Sequence, residues 1–306
     1  MENHLNVVMA TDFSEKVRNA ERYAFQFAAY TKSRIMLLHV YPVPVAVPLL
    51  NRELRIHERG LAELESVKRH GNVLMTHIGI LPGDMKYECK VREGAAGEEV
   101  CREAQESGVH LIFTGTHSAD GLFRLFSTSH TWEVIRLASC PVLTIPEDGF
   151  FTGVKQLTYV TEYRKNELPV IRFVFKLAES FGAGLLILHM GNFGYSRHLE
   201  TMMFERFRDE LRQNLDSNKP DIRLLHRADV VSGLNDFCLH TYTDWLVISR
   251  GTSSLLDQLF NPGMNLSREL SFKTRLPLLT VPDAYNWEES GTWTRLKTFQ
   301  ENEKTG

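Results

Sequence analysis

The chain has 306 residues, a net charge of −3, and 43% apolar, 24% charged and 10% aromatic residues, the profile of a globular protein with room for two ordinary domains. That balance excludes a nucleic-acid or anionic-membrane surface built on charge, and the longest apolar runs, such as Ile35 to Val40 and Leu185 to Leu188, are too short to span a bilayer. The N-terminus, MENHLNVVMATD, lacks the basic region, apolar stretch and cleavage site of a secretory signal, and Cys89, Cys101, Cys140 and Cys238 form no CxxC pair. A cytoplasmic protein with reduced, mostly buried thiols is the expectation.

Asn6 to Ala10 (NVVMA) reads as a short buried strand, followed by Thr11-Asp12-Phe13-Ser14, with Ser14 placed to cap a helix over 15–31. Ser33 to Val40 is a second strand, apolar nearly throughout, as in a parallel sheet covered on both faces. A proline-rich loop, Tyr41 to Pro48, leads into a charged helix over about 51–70, then a strand over 86–91 and a helix over 96–107. The stretch VHLIFTGTHSADGLFRLFSTSHTWEVIRLASCPVLTIP, Val109 to Pro146, supplies two more strands, Leu111 to Thr114 and Val142 to Ile145, joined through Gly115, a polar loop and a helix over 129–137. A strand that breaks at Gly and leads through small hydroxyl residues into a helix is how α/β proteins build anion sites. Glycine permits close approach, and the helix N-terminus offers unpaired N–H donors.

The plan then repeats. Beyond an acidic linker, Glu147 to Gly153, strands over 157–161, 184–190, 222–226, 245–249 and 277–281 alternate with helices over 166–181, 199–214, 233–241 and a further loop-and-helix stretch. The offset between copies is 150 at Thr11/Thr161 and His39/His189, and 136 at Gly115/Gly251 and Pro141/Pro277, so the second copy is shorter by 14 residues, lost in its middle. Apolar strands alternating with helices predict two α/β units in tandem, each a doubly wound parallel five-stranded sheet, over 1–147 and 154–283. A polar extension, 284–306, carries Trp287 and Trp293, expected to pack back on the body, and ends in charged residues expected to be disordered.

Ala10-Thr11-Asp12-Phe13-Ser14 after a strand, LLHV at Leu37 to Val40, GTHSADGLFRLFSTS at Gly115 to Ser129 and CPVLTIP at Cys140 to Pro146 together resemble the universal stress protein family. The resemblance covers nearly the whole chain as two copies, the second the weaker. It implies a Rossmann-like fold of the adenine nucleotide alpha hydrolase type and units paired through their last strands, here Pro141 to Ile145 and Pro277 to Val281, as an internal pseudo-dimer. It leaves room for a homodimer and for a protein partner of unknown identity.

Family members that bind ATP are similar to one another in a loop of Gly, two residues, Gly, nine residues, Gly and Ser/Thr. Its positions here are Gly115, Ser118, Thr128 and Ser129. The second glycine has gained a Cβ and a hydroxyl, and the third has become β-branched where the chain should pass close to a phosphate. In the second copy the positions are Gly251, Ser254, Met264 and Asn265, and no triphosphate is expected there. The resemblance places Asp12 against the base and ribose, with Ala10 and Thr11 beside it and Val40 as an apolar wall; Glu162 and Met190 replace Asp12 and Val40 in the second copy. The candidate nucleotide-binding set is therefore Ala10, Thr11, Asp12, Val40, Gly115, Ser118, Thr128, Ser129 and His130, with no metal beyond a nucleotide-associated Mg.

Each position also has a plainer reading. Asp12 suits the turn after the first strand, and Ser127, Thr128 and Ser129 suit a helix cap. His117 and His130 read as solvated loop residues with no ligand-spaced carboxylate or Cys beside them, while His39 and His189 read as satisfied structural groups. There is no Ser-His-Asp order, no paired carboxylates on one face and no Walker lysine, so no catalytic residue is assigned and at most weak ATP hydrolysis is expected. Three readings stay open: a non-catalytic stress-response binding or interaction module with a degenerate nucleotide loop; an adenine-nucleotide sensor or slow ATPase acting through the first copy; and an apolar ligand in the second copy beside Met190 and Met264.

Overall fold

The computed structural model describes residues 4–42, 52–80, 85–115, 130–191, 197–215, 220–226, 230–251, 276–283, 285–287 and 293. They fall into two compact units, Met1–Phe151 and Thr152–Gly306. The first runs β1 (Asn6–Thr11), α1 (Arg18–Thr31), β2 (Arg34–Tyr41), α2 (Arg52–Ile78), β3 (Lys86–Glu93), α3 (Ala96–Glu106), β4 (Leu111–Gly115), α4 (His130–Leu137) and β5 (Val142–Ile145). Its strands are parallel in the order β3-β2-β1-β4-β5. The chain therefore winds outward from β1 to β3, then crosses to the far side of β1 for β4 and β5. The carboxyl ends of β1 and β4 meet at that reversal, the place where doubly wound sheets open a crevice.

The second unit repeats this with β6 (Gln156–Thr161), α5 (Leu168–Phe181), β7 (Gly184–Gly191), α6 (Arg197–Asn214), β8 (Asp221–His226), α7 (Val230–His240), β9 (Trp245–Ser249) and β10 (Leu278–Val281). Its strands are also parallel, ordered β10-β9-β6-β7-β8, with the reversal between β6 and β9. Copy equivalence extends to backbone detail. Lys32 and Gly182, 150 residues apart, both take the left-handed helix cap, at φ 52° and 64°.

The cores follow from the apolar strands. Val7, Val8, Met9, Leu37, Leu38, Leu111, Ile112 and Phe113 are buried in the first unit, covered by Ala20, Tyr23, Ala24, Phe25, Phe27 and Ala28 of α1. Phe151, beyond β5, returns to α1 and packs on Tyr23, Phe27 and Tyr30. In the second unit Tyr159, Ile187, Leu188, Trp245, Val247 and Ile248 are buried beneath Ile171, Val174 and Leu177.

Three local expectations are corrected. Ser14 does not cap α1: the helix starts at Arg18, with Val17 at the cap position and no side-chain cap. The N–H groups of Val17 and Arg18 instead bond the carbonyls of Ser14 and Glu15 at 3.2 and 3.3 Å, a tight turn that takes up the residues before regular helix begins. Likewise α5 starts at Leu168 behind a 3-10 turn over Lys165–Glu167, because Pro169 fits the first helical turn and stops the helix reaching further back. The long helix α2 runs to Ile78 rather than ending near residue 70.

Cys140 and Cys238 are buried, Cys89 and Cys101 half-buried, and all four are free thiols. Burial pushes the Cys140 and Cys238 thiols up to about 12, so neither supplies thiolate near neutrality. Native-state iodoacetamide labelling read by mass spectrometry should leave these two unmodified, with all four modified in denaturant. Native labelling of Cys140 would contradict this packing.

Candidate functional site

At the end of β1 the backbone turns through Phe13, whose φ of 63° is rare for a bulky residue. The turn is held from both sides. Thr11 Oγ1 accepts the Phe13 N–H at 3.0 Å, and Asp12 Oδ1 accepts the Ser14 N–H at 2.9 Å. The Thr11 hydroxyl donates to Glu21, a carboxylate fully buried on α1. The second oxygen of Glu21 accepts from His70 Nε2 of α2 at 2.7 Å. On the neighbouring strand His39 donates Nδ1–H to the Thr11 carbonyl at 2.8 Å, and the Phe13 ring lies between the imidazoles of His39 and His70, at 4.4 and 5.1 Å. The wall expected of a crevice is thus built on paired buried polar groups.

Ala10, Thr11 and Asp12 close β1, Val40 lies one residue beyond the Thr11–His39 register on β2, and Gly115 ends β4. The structure brings these five to one edge of three adjacent strands, with Asp12 exposed and Ala10 and Val40 half-buried. A Cβ on Gly115 would meet Ala20 Cβ at 3.4 Å and Val17 Cα at 3.5 Å, ordinary van der Waals contacts, so the packing against α1 does not itself require glycine here. The Gly115 carbonyl accepts from Thr131 Oγ1 at 3.1 Å, tying α4 to the strand end. His130, the first residue of α4, is exposed and 4.0 Å from Glu133. Ser118, Thr128 and Ser129 lie outside the described residues, as do Ser254, Met264 and Asn265 of the second copy.

The second unit repeats the turn. Tyr163 has φ 61°, its N–H bonds Thr161 Oγ1 at 3.0 Å, its ring stacks on His189 at 3.8 Å, and His189 donates to the Thr161 carbonyl at 2.7 Å. Burial lowers the His189 pKa, which favours the neutral tautomer that makes this bond. The equivalent histidines are therefore satisfied structural groups. The buried carboxylate, however, comes from another turn. Glu167 accepts the Thr161 hydroxyl and, at 3.1 Å, the Glu162 N–H. Burial pushes its carboxyl up to about 7, against those two bonds and the Arg164 charge. Glu200 of α6 takes a third role, with Oε2 at 2.6 Å from His226 Nε2.

Beyond the turn the two units differ. Glu162, at the Asp12 position, pairs with Arg164 at 2.6 Å, and Arg164 also donates to the Gly251 carbonyl at the end of β9. The Gly251 N–H is taken by Asp283 Oδ1 at 2.8 Å, and Ser249 donates its hydroxyl to the same oxygen. The described surroundings of Gly251 are thus polar and ionic, while Met190 is buried in the strand layer. Sequence reasoning singled out Thr11, His39 and their equivalents through the offset of 150. It missed Phe13 and Tyr163, whose signal was an aromatic two residues beyond each threonine, and Glu21 and Asp283, which left none.

Among the described residues no group of three His, Cys, Asp or Glu is placed to hold a metal ion, and no helix is long and apolar enough to cross a membrane. Three solved structures share the two-unit fold. A universal stress protein from Archaeoglobus fulgidus DSM 4304 is 12% identical, with 93% of this chain and 100% of that chain covered, at a TM-score of 0.61. A putative universal stress protein from Pseudomonas aeruginosa UCBPP-PA14 is 15% identical, with 98% of both chains covered, at 0.54. A functionally unknown protein from Pseudomonas aeruginosa PAO1 is 14% identical, with 97% of both covered, at 0.52. No curated protein matches the chain. At these identities the likeness is one of fold; in sequence, residues 4–146 match the family model described as Universal stress protein family, which identifies the first unit as a domain of that family.

Proposed function

We propose that the protein is a non-catalytic binding module of the stress response, whose ligand site is the crevice of the first unit at the β1/β4 reversal and whose ligand class is an adenine nucleotide. The observation that carries this is the convergence of Asp12, Val40 and Gly115 on that edge, with Asp12 exposed and its turn rigidly held. An exposed carboxylate acceptor suits ribose or base donors, a half-buried Val suits the base face, and Gly115 places the end of β4 beside them. The described donor set contains no nucleophile–base pair, so the reading is of binding rather than turnover. The second unit acts in this proposal as a structural and interaction unit. Within their own units β5 and β10 are each bounded on one side only, by β4 and β9, and pairing through these strands, with any homodimer, belongs to the same proposal.

The test is to release small molecules from the purified native chain, identify them by mass spectrometry, and titrate ATP. Asp12→Ala is expected to weaken ATP binding about tenfold, the loss of one hydrogen bond to a charged group, and Thr128→Gly to tighten it. Unchanged affinity in both variants would sink the nucleotide reading and leave the module acting through its surface.

A further inference from the structure

We propose that the second unit retains an anion cradle at the end of β9 and that the chain fills it with its own Asp283 carboxylate. The Gly251 N–H, 2.8 Å away, and the Ser249 hydroxyl converge on one oxygen of Asp283, as strand-end amides and hydroxyls converge on a phosphate oxygen. The other oxygen lies where a Gly251 Cβ would stand, so the glycine that elsewhere makes room for phosphate here makes room for a carboxylate. Arg164 completes the closure by binding the Gly251 carbonyl and, at 2.6 Å, Glu162.

Among the described residues the first unit shows no such plug. Its equivalents of Asp283 and Arg164 are Glu147 and Ser14. The atoms nearest a Gly115 Cβ belong to Ala20 and Val17, and Glu147 is exposed. Asn19 Nδ2 holds the Pro146 carbonyl at 3.2 Å, which anchors the chain leaving β5 on α1 instead. In the second unit the chain leaving β10 is fixed by a turn, Tyr285 N–H to the Pro282 carbonyl at 3.1 Å, and by the Trp293 indole N–H on the Tyr285 hydroxyl at 2.9 Å. Asp283 is therefore seated by both ends of its segment. The plug excludes phosphate by occupying the donors and by placing a like charge where the anion would bind.

This inference stands whether or not the first unit takes a nucleotide, because its test counts sites relative to wild type. Inorganic pyrophosphate is titrated calorimetrically into the full-length wild-type chain, Asp283→Ala, and Asp283→Ala combined with Gly251→Ala. Asp283→Ala should bind one more pyrophosphate per chain than wild type, and the added methyl of the double variant should abolish that gain. If Asp283→Ala is less stable than wild type, the titrations are run at a lower temperature at which circular dichroism shows every variant folded, and the same criterion applies. A folded variant with no added site, or a wild type that already binds the same number, overturns the proposal.

Discussion

Trp293→Ala should lower the stability of the second unit by about 3–5 kcal/mol, the usual cost of deleting a large buried aromatic. Trp293 is 1% exposed although it belongs to a polar C-terminal extension. Its ring meets Phe173 of α5 edge-on at 5.4 Å, and its indole N–H bonds the Tyr285 hydroxyl, whose own ring lies 5.2 Å from Phe173. Truncation removes the ring's burial and strips the Tyr285 hydroxyl of a donor. Trp293→Phe keeps most of the apolar contact and loses only the N–H, so a smaller loss of about 1 kcal/mol is expected. Because two units need not unfold together, the measurement is hydrogen exchange resolved to α5 across a urea series, with β1 of the first unit as the internal control. A Trp293→Ala chain whose α5 protection matches wild type would show that the extension is no part of the fold.

Glu167→Gln should flatten a pH dependence that the wild-type second unit shows between about pH 4.5 and 7. In the folded chain burial holds the Glu167 carboxyl at about 7 against an ordinary 4.5, so across that window the native state keeps a proton that the unfolded chain has released. Stability therefore falls as pH rises through the window and levels off above it. The size is roughly 3 kcal/mol for a shift of this order. The glutamine variant cannot ionise. It should be more stable than wild type above pH 7, with the advantage vanishing toward pH 4.5. Equal slopes in the two proteins would mean that Glu167 is solvated enough to ionise normally.

Local sequence was enough to fix the architecture and the strand-end positions of the candidate site. Apolar runs such as Ile35 to Val40 specify strands buried on both faces wherever they sit, and their alternation with helical segments leaves few foldings other than a doubly wound sheet. The offset of 150 at Thr11/Thr161 and His39/His189 tied two distant residues to one local motif, because strand register and turn geometry act over short range. Asp12, Val40 and Gly115 were legible for the same reason: each ends a strand, and a strand end has a fixed place in this topology. Ser14 was misread because Ser suits both a cap and a tight turn, and only the backbone path chose between them.

The tertiary structure alone decided which charged residues go inside and what they meet. Glu21 and Glu167 stand on different turns of their units, four residues apart once the offset of 150 is removed, yet each receives a threonine hydroxyl at the same place. No periodicity marks either among the 38 acidic residues of the chain. Asp283 meets Ser249 and Gly251 across more than thirty residues. A carboxylate's fate depends on whether long-range folding brings it enough donors to replace water, and that sum of contacts is written in no single stretch of sequence.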